Sequence, residues 1–186
     1  CTPWRLGQIE VIRLLEFNQL EAAQAEAQAL AWCFSKEWAK EMVAGRPYTS
    51  VDHLCRTAGR SWANADREDV LEAIWAHPLI GDKKIIGKDQ SSDQGNVQAA
   101  KEQKLVALAS EQTLEQLEAM NSAYYPQHGF IFLIFAKGKA ADEMLAALMQ
   151  RIENTTEVEI HNAAVQQGFI TENRIRQSFT PAQESL

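Results

Sequence analysis

Over most of this chain, apolar residues recur at three- and four-residue intervals, the rhythm of helices with one buried face. Leu20 to Phe34 is rich in Ala, Glu, Gln and Leu, all strong helix formers. Ser35 is placed to cap a short helix running through Val43, which Gly45-Arg46-Pro47 ends. Ser50 is placed to cap the next, with Leu54 and Ala58 on one face and Trp62 near its end. Asp66 opens a helix whose Val70, Leu71, Ile74 and Trp75 form a single stripe. Pro78 disfavours helical geometry at His77, so that helix is expected to stop there.

Gly81 to Gly95 is polar and reads as a long loop, and Asn96 to Ala109 returns to the helical rhythm. Thr113 with Gln116 reads as a capping box ahead of Leu114, Leu117, Met120, Asn121 and Tyr124. Phe130 to Phe135 breaks the rhythm: a continuous apolar run of this kind reads as a buried strand, yet no second run offers it a partner. Ala140 to Ile152 is a strong amphipathic helix. Thr156 with Glu159 suggests a second capping box for a last helix through Ile160, Ala163 and Ala164, with Gly168 as a candidate bend. The tail from Thr180 is polar. Without a repeat or an internal linker, the expected fold is one all-α, compact multi-helix domain over residues 1–186, with one extended apolar segment near 130–135.

Composition narrows the function. With 46% apolar and 23% charged residues among 186, the chain suits a globular domain with a sizeable core. A net charge of −7 disfavours nucleic acid and anionic membrane as partners, while leaving an anionic small substrate open. Three widely spaced cysteines, Cys1, Cys33 and Cys55, argue against a disulfide framework and against a zinc cluster. A reducing cytosol is the simplest setting. No apolar run is long enough to span a bilayer, and no basic region followed by an apolar core opens the chain, so the expected location is cytoplasmic.

Nucleotide-binding glycine motifs, Gly-x-Ser-x-Gly and His- or Cys-based metal spacings are absent, so no metal and no cofactor is expected. What is left is cofactor-free acid–base chemistry or no chemistry. Of His53, His77, His128 and His161, His77 has the best address. It falls at a helix C-terminus, where the dipole favours the protonated ring, and is followed by a proline and a polar loop. A structural histidine capping the helix would have the same address. Glu102 is either a residue on a solvated helix face or a buried carboxylate that orients or polarises His77. Arg174 and Arg176 either complement the end of the last helix or clamp a carboxylate or ureido group.

The ordered set His77-Pro78-x-Ile80-Gly81-Asp82, Glu102-Gln103, Asn121-x-x-Tyr124 and Gly129-Phe130-x-Phe132 resembles the decarboxylase of the urate pathway. That family acts on 2-oxo-4-hydroxy-4-carboxy-5-ureidoimidazoline (OHCU). The likeness extends to Trp38-Ala39, Arg46-Pro47-Tyr48, Trp75-Ala76, Ala136-Lys137-Gly138, Arg151-x-x-Asn154, Glu159 and Ile170-x-x-x-Arg174, covering roughly residues 17–178. It implies an all-helical, cofactor-free homodimer that releases carbon dioxide to give (S)-allantoin. It implies His77 and Glu102 as catalytic residues. Substrate contacts fall on Pro78, Ala99, Gln103, Phe130, Phe132, Leu133, Ile134 and Arg174, and the segment Phe130 to Ile134 is extended among helices.

The chain departs from the family pattern at Ala99, where serine is frequent, and at His128-Gly129, where Phe-Gly is usual. Ala99 motivates a second reading, an enzyme of the same fold acting on a related ureido or imidazolone acid. A third reading is a catalytically silent helical module that keeps the pocket for a ligand.

Overall fold

The computed structural model describes residues 3–77 and 111–180. Among these residues the chain is helical, with eight helices and no strand. They are α1 (Pro3–Gln19), α2 (Ala22–Cys33), α3 (Lys36–Ala44), α4 (Val51–Ala63), α5 (Arg67–Trp75), α6 (Glu111–His128), α7 (Ala141–Arg151) and α8 (Thr156–Phe179). The chain divides into two compact units, one of Cys1–Asp69 with Gly168–Leu186 and the other of Val70–Gln167.

In the first unit, α2 packs on α3 and α3 on α4. Helices of nine to thirteen residues are marginal in water, so tertiary packing decides that they form. Phe17, Trp32, Tyr48 and Phe179 make the aromatic centre, with Phe17 5.2 Å from Trp32 and 6.2 Å from Phe179 between ring centroids. Each such ring contributes roughly 1.5–3 kcal/mol by leaving water. Arg46 closes the C-terminal end of α1: its Nη1 donates to Phe17 O at 2.9 Å and Leu20 O at 2.8 Å. Tyr48 donates its hydroxyl to Met42 O at 2.8 Å, and burial pushes that phenol up to about 12.

The two serine caps form as expected. Ser35 Oγ accepts from Trp38 N at 3.3 Å and Ser50 Oγ from His53 N at 3.0 Å. Ser35 is fully buried, so water cannot replace its oxygen. Ser35→Ala is therefore expected to cost about 1–2 kcal/mol, read as a lower urea midpoint with an unchanged slope. Cys33 and Cys55 are buried thiols outside any disulfide, and burial pushes Cys55 up to about 11, which keeps it protonated and unreactive at neutral pH.

Several local expectations are corrected. The N-terminal helix α1 has no counterpart in the sequence reading; Val11, Ile12 and Leu15 on it are exposed, so its pattern does not follow a buried stripe. Thr113 lies inside α6 rather than capping it, and its hydroxyl donates to Asp142 Oδ1 at 2.8 Å. At the start of α8 the cap is Thr155, whose Oγ1 accepts from Val158 N at 3.4 Å, and Glu159 points inward instead of back to the helix start. Gly168 neither ends nor interrupts α8; a Cβ there would stand 3.5 Å from the Trp62 ring, an ordinary contact. Phe130 to Phe135 is not a strand. The loop at Gly81 to Gly95 and the helix at Asn96 to Ala109 fall outside the described residues.

Candidate active site

Helix α5 ends at Trp75, and a turn bonded from His77 N to Ile74 O at 3.1 Å carries the chain to His77. The stripe that buries α5 is Val70, Ala73 and Ile74, while Trp75 is exposed. Trp75 nevertheless anchors this corner, because its indole N–H donates to Gly129 O at 3.1 Å. Gly129 closes α6 with a positive φ of 79°, a left-handed conformation that favours glycine, and its N–H reaches Tyr125 O at 2.8 Å. The next residue is Phe130. One hydrogen bond thus ties the helix end before His77 to the start of the extended segment.

His77 is 8% exposed, and its Nε2 lies 2.6 Å from Oε1 of Gln167, which is fully buried on α8. The neighbouring Gln166 accepts from Phe135 N at 2.9 Å. Two adjacent glutamines of α8 therefore hold His77 and the far end of the extended segment.

Phe130, Ile131, Phe132, Leu133 and Ile134 are all buried. This explains their strand-like look: a segment enclosed on every side carries no polar alternation. Side chains replace the ladder of a sheet. Gln166 takes the Phe135 N–H, and Arg151 Nη1 donates to Leu133 O at 2.8 Å. Tyr124 meets Phe130 and Phe132 edge-on, at 5.9 and 5.7 Å. The Arg151 guanidinium lies 4.6 Å over the Phe132 ring.

Arg151 is itself held by Glu159, a fully buried carboxylate on α8. Glu159 Oε2 accepts from Tyr124 OH at 2.5 Å and Arg151 Nε at 2.9 Å, and Oε1 accepts from the Asn154 and Asn162 amides, each at 2.8 Å. Burial alone pushes the Glu159 carboxyl up, but these four donors together outweigh it and hold the carboxyl below its ordinary range. Burial, reinforced by the bond to Glu159, pushes the Tyr124 phenol upward, so it stays a donor. A cavity of about 300 Å³ adjoins this cluster, lined by Gln150, Arg151, Asn154, Asn162, Val165 and Gln166. No histidine lines it.

His128 is buried, ring to ring with Tyr124 at 4.4 Å, and its Nδ1 pairs with Thr156 Oγ1 at 3.1 Å. His53 pairs with Thr49, and His161 is exposed. Arg174 belongs to the first unit. It is 1% exposed, with Nη1 donating to Trp32 O at 3.3 Å and its guanidinium 4.7 Å over the Phe34 ring. It lies five residues before the end of α8, so complementing the helix end is not its place. Arg176 has the surface role instead, paired with Asp52 and Glu172 at 2.8 Å each. Pro78, Ala99, Glu102 and Gln103 lie outside the described residues. No group of three or more His, Cys, Asp or Glu with metal-holding geometry occurs among the described residues, and no helix there is long and apolar enough to cross a membrane.

Sequence reasoning missed Gln166, Gln167 and the inward role of Glu159. Glutamine carries no spacing signature, and Glu159 at its distance from Thr156 looked like half of a cap.

A family model described as OHCU decarboxylase matches residues 18–176. The chain is 37% identical over 149 residues to the uric acid degradation bifunctional protein TTL of Arabidopsis thaliana, covering 80% of this chain and 45% of that protein. It is 30% identical over 153 residues to the uric acid degradation bifunctional protein PucL of Bacillus subtilis, covering 81% of this chain and 29% of that one. The chain thus spans less than half the length of these two curated relatives. A crystal structure of OHCU decarboxylase in the presence of (S)-allantoin superimposes with a TM-score of 0.70 at 35% identity, over 82% of this chain and 97% of the other.

Proposed function

The chain belongs to the OHCU decarboxylase family, and from that premise we propose that it converts OHCU to (S)-allantoin and carbon dioxide, as a cytoplasmic homodimer without cofactor. The observation that carries the reading is the corner where Trp75 ties the helix end at His77 to the extended segment beginning at Phe130. A titratable side chain and a run of backbone amide groups are what this reaction needs.

Breaking the bond to the carboxylate sends its electron pair through the adjacent carbon–nitrogen double bond to the ring nitrogen, which takes up a proton. The ring hydroxyl then becomes a carbonyl as its proton departs, and a proton is added to one face of the ureido-bearing carbon. Backbone N–H groups over Phe132, Leu133 and Ile134 stabilise the developing negative charge, as preorganised donors do at an oxyanion. His77, with Glu102 as its carboxylate partner, moves the proton, the step that imidazole side chains most often carry in general acid–base catalysis. Arg174 supplies a cation for the carboxylate or ureido group. Pro78, Ala99 and Gln103 complete the substrate contacts, with Ala99 offering one hydrogen bond fewer than a serine would.

The test is circular dichroism during urate breakdown, with urate oxidase and the following hydrolase generating OHCU in place. Addition of this protein is expected to produce an optically active allantoin signal well ahead of the slow, racemic decay in its absence. A folded protein that leaves the signal at the background rate would overturn the proposal.

A further inference from the structure

Resting on the acid–base role proposed for His77, we propose that Gln167 is the positioning residue that sets the tautomer and ring plane of that histidine. The pair is short, at 2.6 Å from Nε2 to Oε1, and both partners are buried, Gln167 completely. An amide oxygen only accepts hydrogen bonds. The ring nitrogen facing it is therefore the N–H nitrogen, and in the neutral imidazole the basic lone pair is on Nδ1. The contact thus selects the Nε2–H tautomer, and it does so from a helix rather than a loop.

The residue type matters as much as the position. A carboxylate facing Nε2 would hold the tautomer equally well but would favour the cationic ring. A neutral amide orients the ring while adding no charge of its own, so the tuning of basicity is left to other groups. Gln167 also has its position fixed from the neighbouring residue, since Gln166 is bonded to the Phe135 N–H. The register of α8 against the extended segment then sets where Gln167 stands and, through it, where His77 points. A misplacement of a reacting group by about 1 Å can cost roughly 10²-fold in rate.

The experiment uses the full chain, with ¹⁵N-labelled histidine and long-range ¹H–¹⁵N correlation spectra of the imidazole rings, alongside the urate-breakdown assay. The His77 signals are assigned by their loss in His77→Gln. In the wild-type protein the neutral His77 ring is expected to carry its proton on Nε2. Gln167→Met, close in length and apolar, is expected to remove that preference and to lower kcat roughly 10- to 100-fold while KM stays within about threefold. Gln167→Glu retains an acceptor and is expected to keep the Nε2–H signature and a kcat above that of the methionine variant.

A wild-type ring protonated on Nδ1 overturns the inference, and so does a folded Gln167→Met variant with wild-type signature or kcat. The wild-type spectrum decides even if Gln167→Met fails to fold. Because the spectra need no substrate, the two readings fail separately. A protein with the predicted tautomer but no decarboxylation refutes the activity, and a decarboxylase with the other tautomer refutes the role of Gln167.

Discussion

His77→Gln is expected to lower kcat for OHCU decarboxylation by roughly 10²–10⁴-fold, the usual contribution of a positioned acid–base group, while the protein stays folded and binds substrate with little change in KM. Glutamine is the informative replacement. Its terminal amide reaches about as far as the imidazole Nε2, so it can still hydrogen-bond Gln167 across the present 2.6 Å contact and fill the buried site. It cannot gain or lose a proton near neutral pH. A loss in rate therefore reports the missing proton transfer rather than a cavity or an orphaned amide. The allantoin that still forms should drift toward the racemate as the unassisted route overtakes the enzymatic one. Turnover within a few-fold of wild type, with the product still one enantiomer, would remove His77 from the chemistry.

The sequence carried the helices wherever an apolar stripe coincided with a side-chain cap. Ser35 and Ser50 are the clear cases, because a buried or extended serine before a helix has few other uses. It failed where a cap-like pair had another function. Thr113 and Glu159 have the spacing of capping residues, but tertiary partners claim both, Asp142 in one case and Arg151, Tyr124, Asn154 and Asn162 in the other. Within the run from Phe130 to Phe135, the burial of Phe130 to Ile134 was legible but the side chains that replace a partner strand were not, because the backbone partners Arg151 and Gln166 lie on helices far along the chain. Among the histidines, sequence position favoured His77, and the fold makes it one of two that are buried. Arg174 and Arg176 are two residues apart and alike in sequence, yet one is enclosed against Phe34 and the other is paired at the surface. Only packing separates them.

Glu159→Leu is expected to be the most destabilising single change among the described residues, at about 3–5 kcal/mol, the usual cost of removing one partner from a buried ion pair. Against a total of roughly 5–15 kcal/mol for a domain, that is a large share. The loss has several parts: Arg151 is left as a nearly buried cation without its counter-charge, and Tyr124, Asn154 and Asn162 each lose an acceptor. If uncompensated charge is the main part, adding Arg151→Met to Glu159→Leu should recover a substantial fraction, and urea denaturation of the four proteins in the cycle measures that coupling. Purely additive losses would mean that the pair is not the unit of stability.

The pH dependence has a definite sign. The Glu159 carboxyl titrates lower in the folded chain than its ordinary 4.5, so its contribution is fully present above that value. It is lost as pH falls from there through the folded value. Wild-type stability should therefore drop over that acidic window, and Glu159→Gln should flatten the drop. The same contacts reach the proposed chemistry, because the Arg151 that Glu159 holds also fixes the carbonyl of Leu133. Glu159→Gln, which keeps the shape of the site but weakens the hold on Arg151, should thus lose activity at temperatures where it is still folded. An unchanged kcat there would show that the extended segment keeps its place without the Glu159–Arg151 pair.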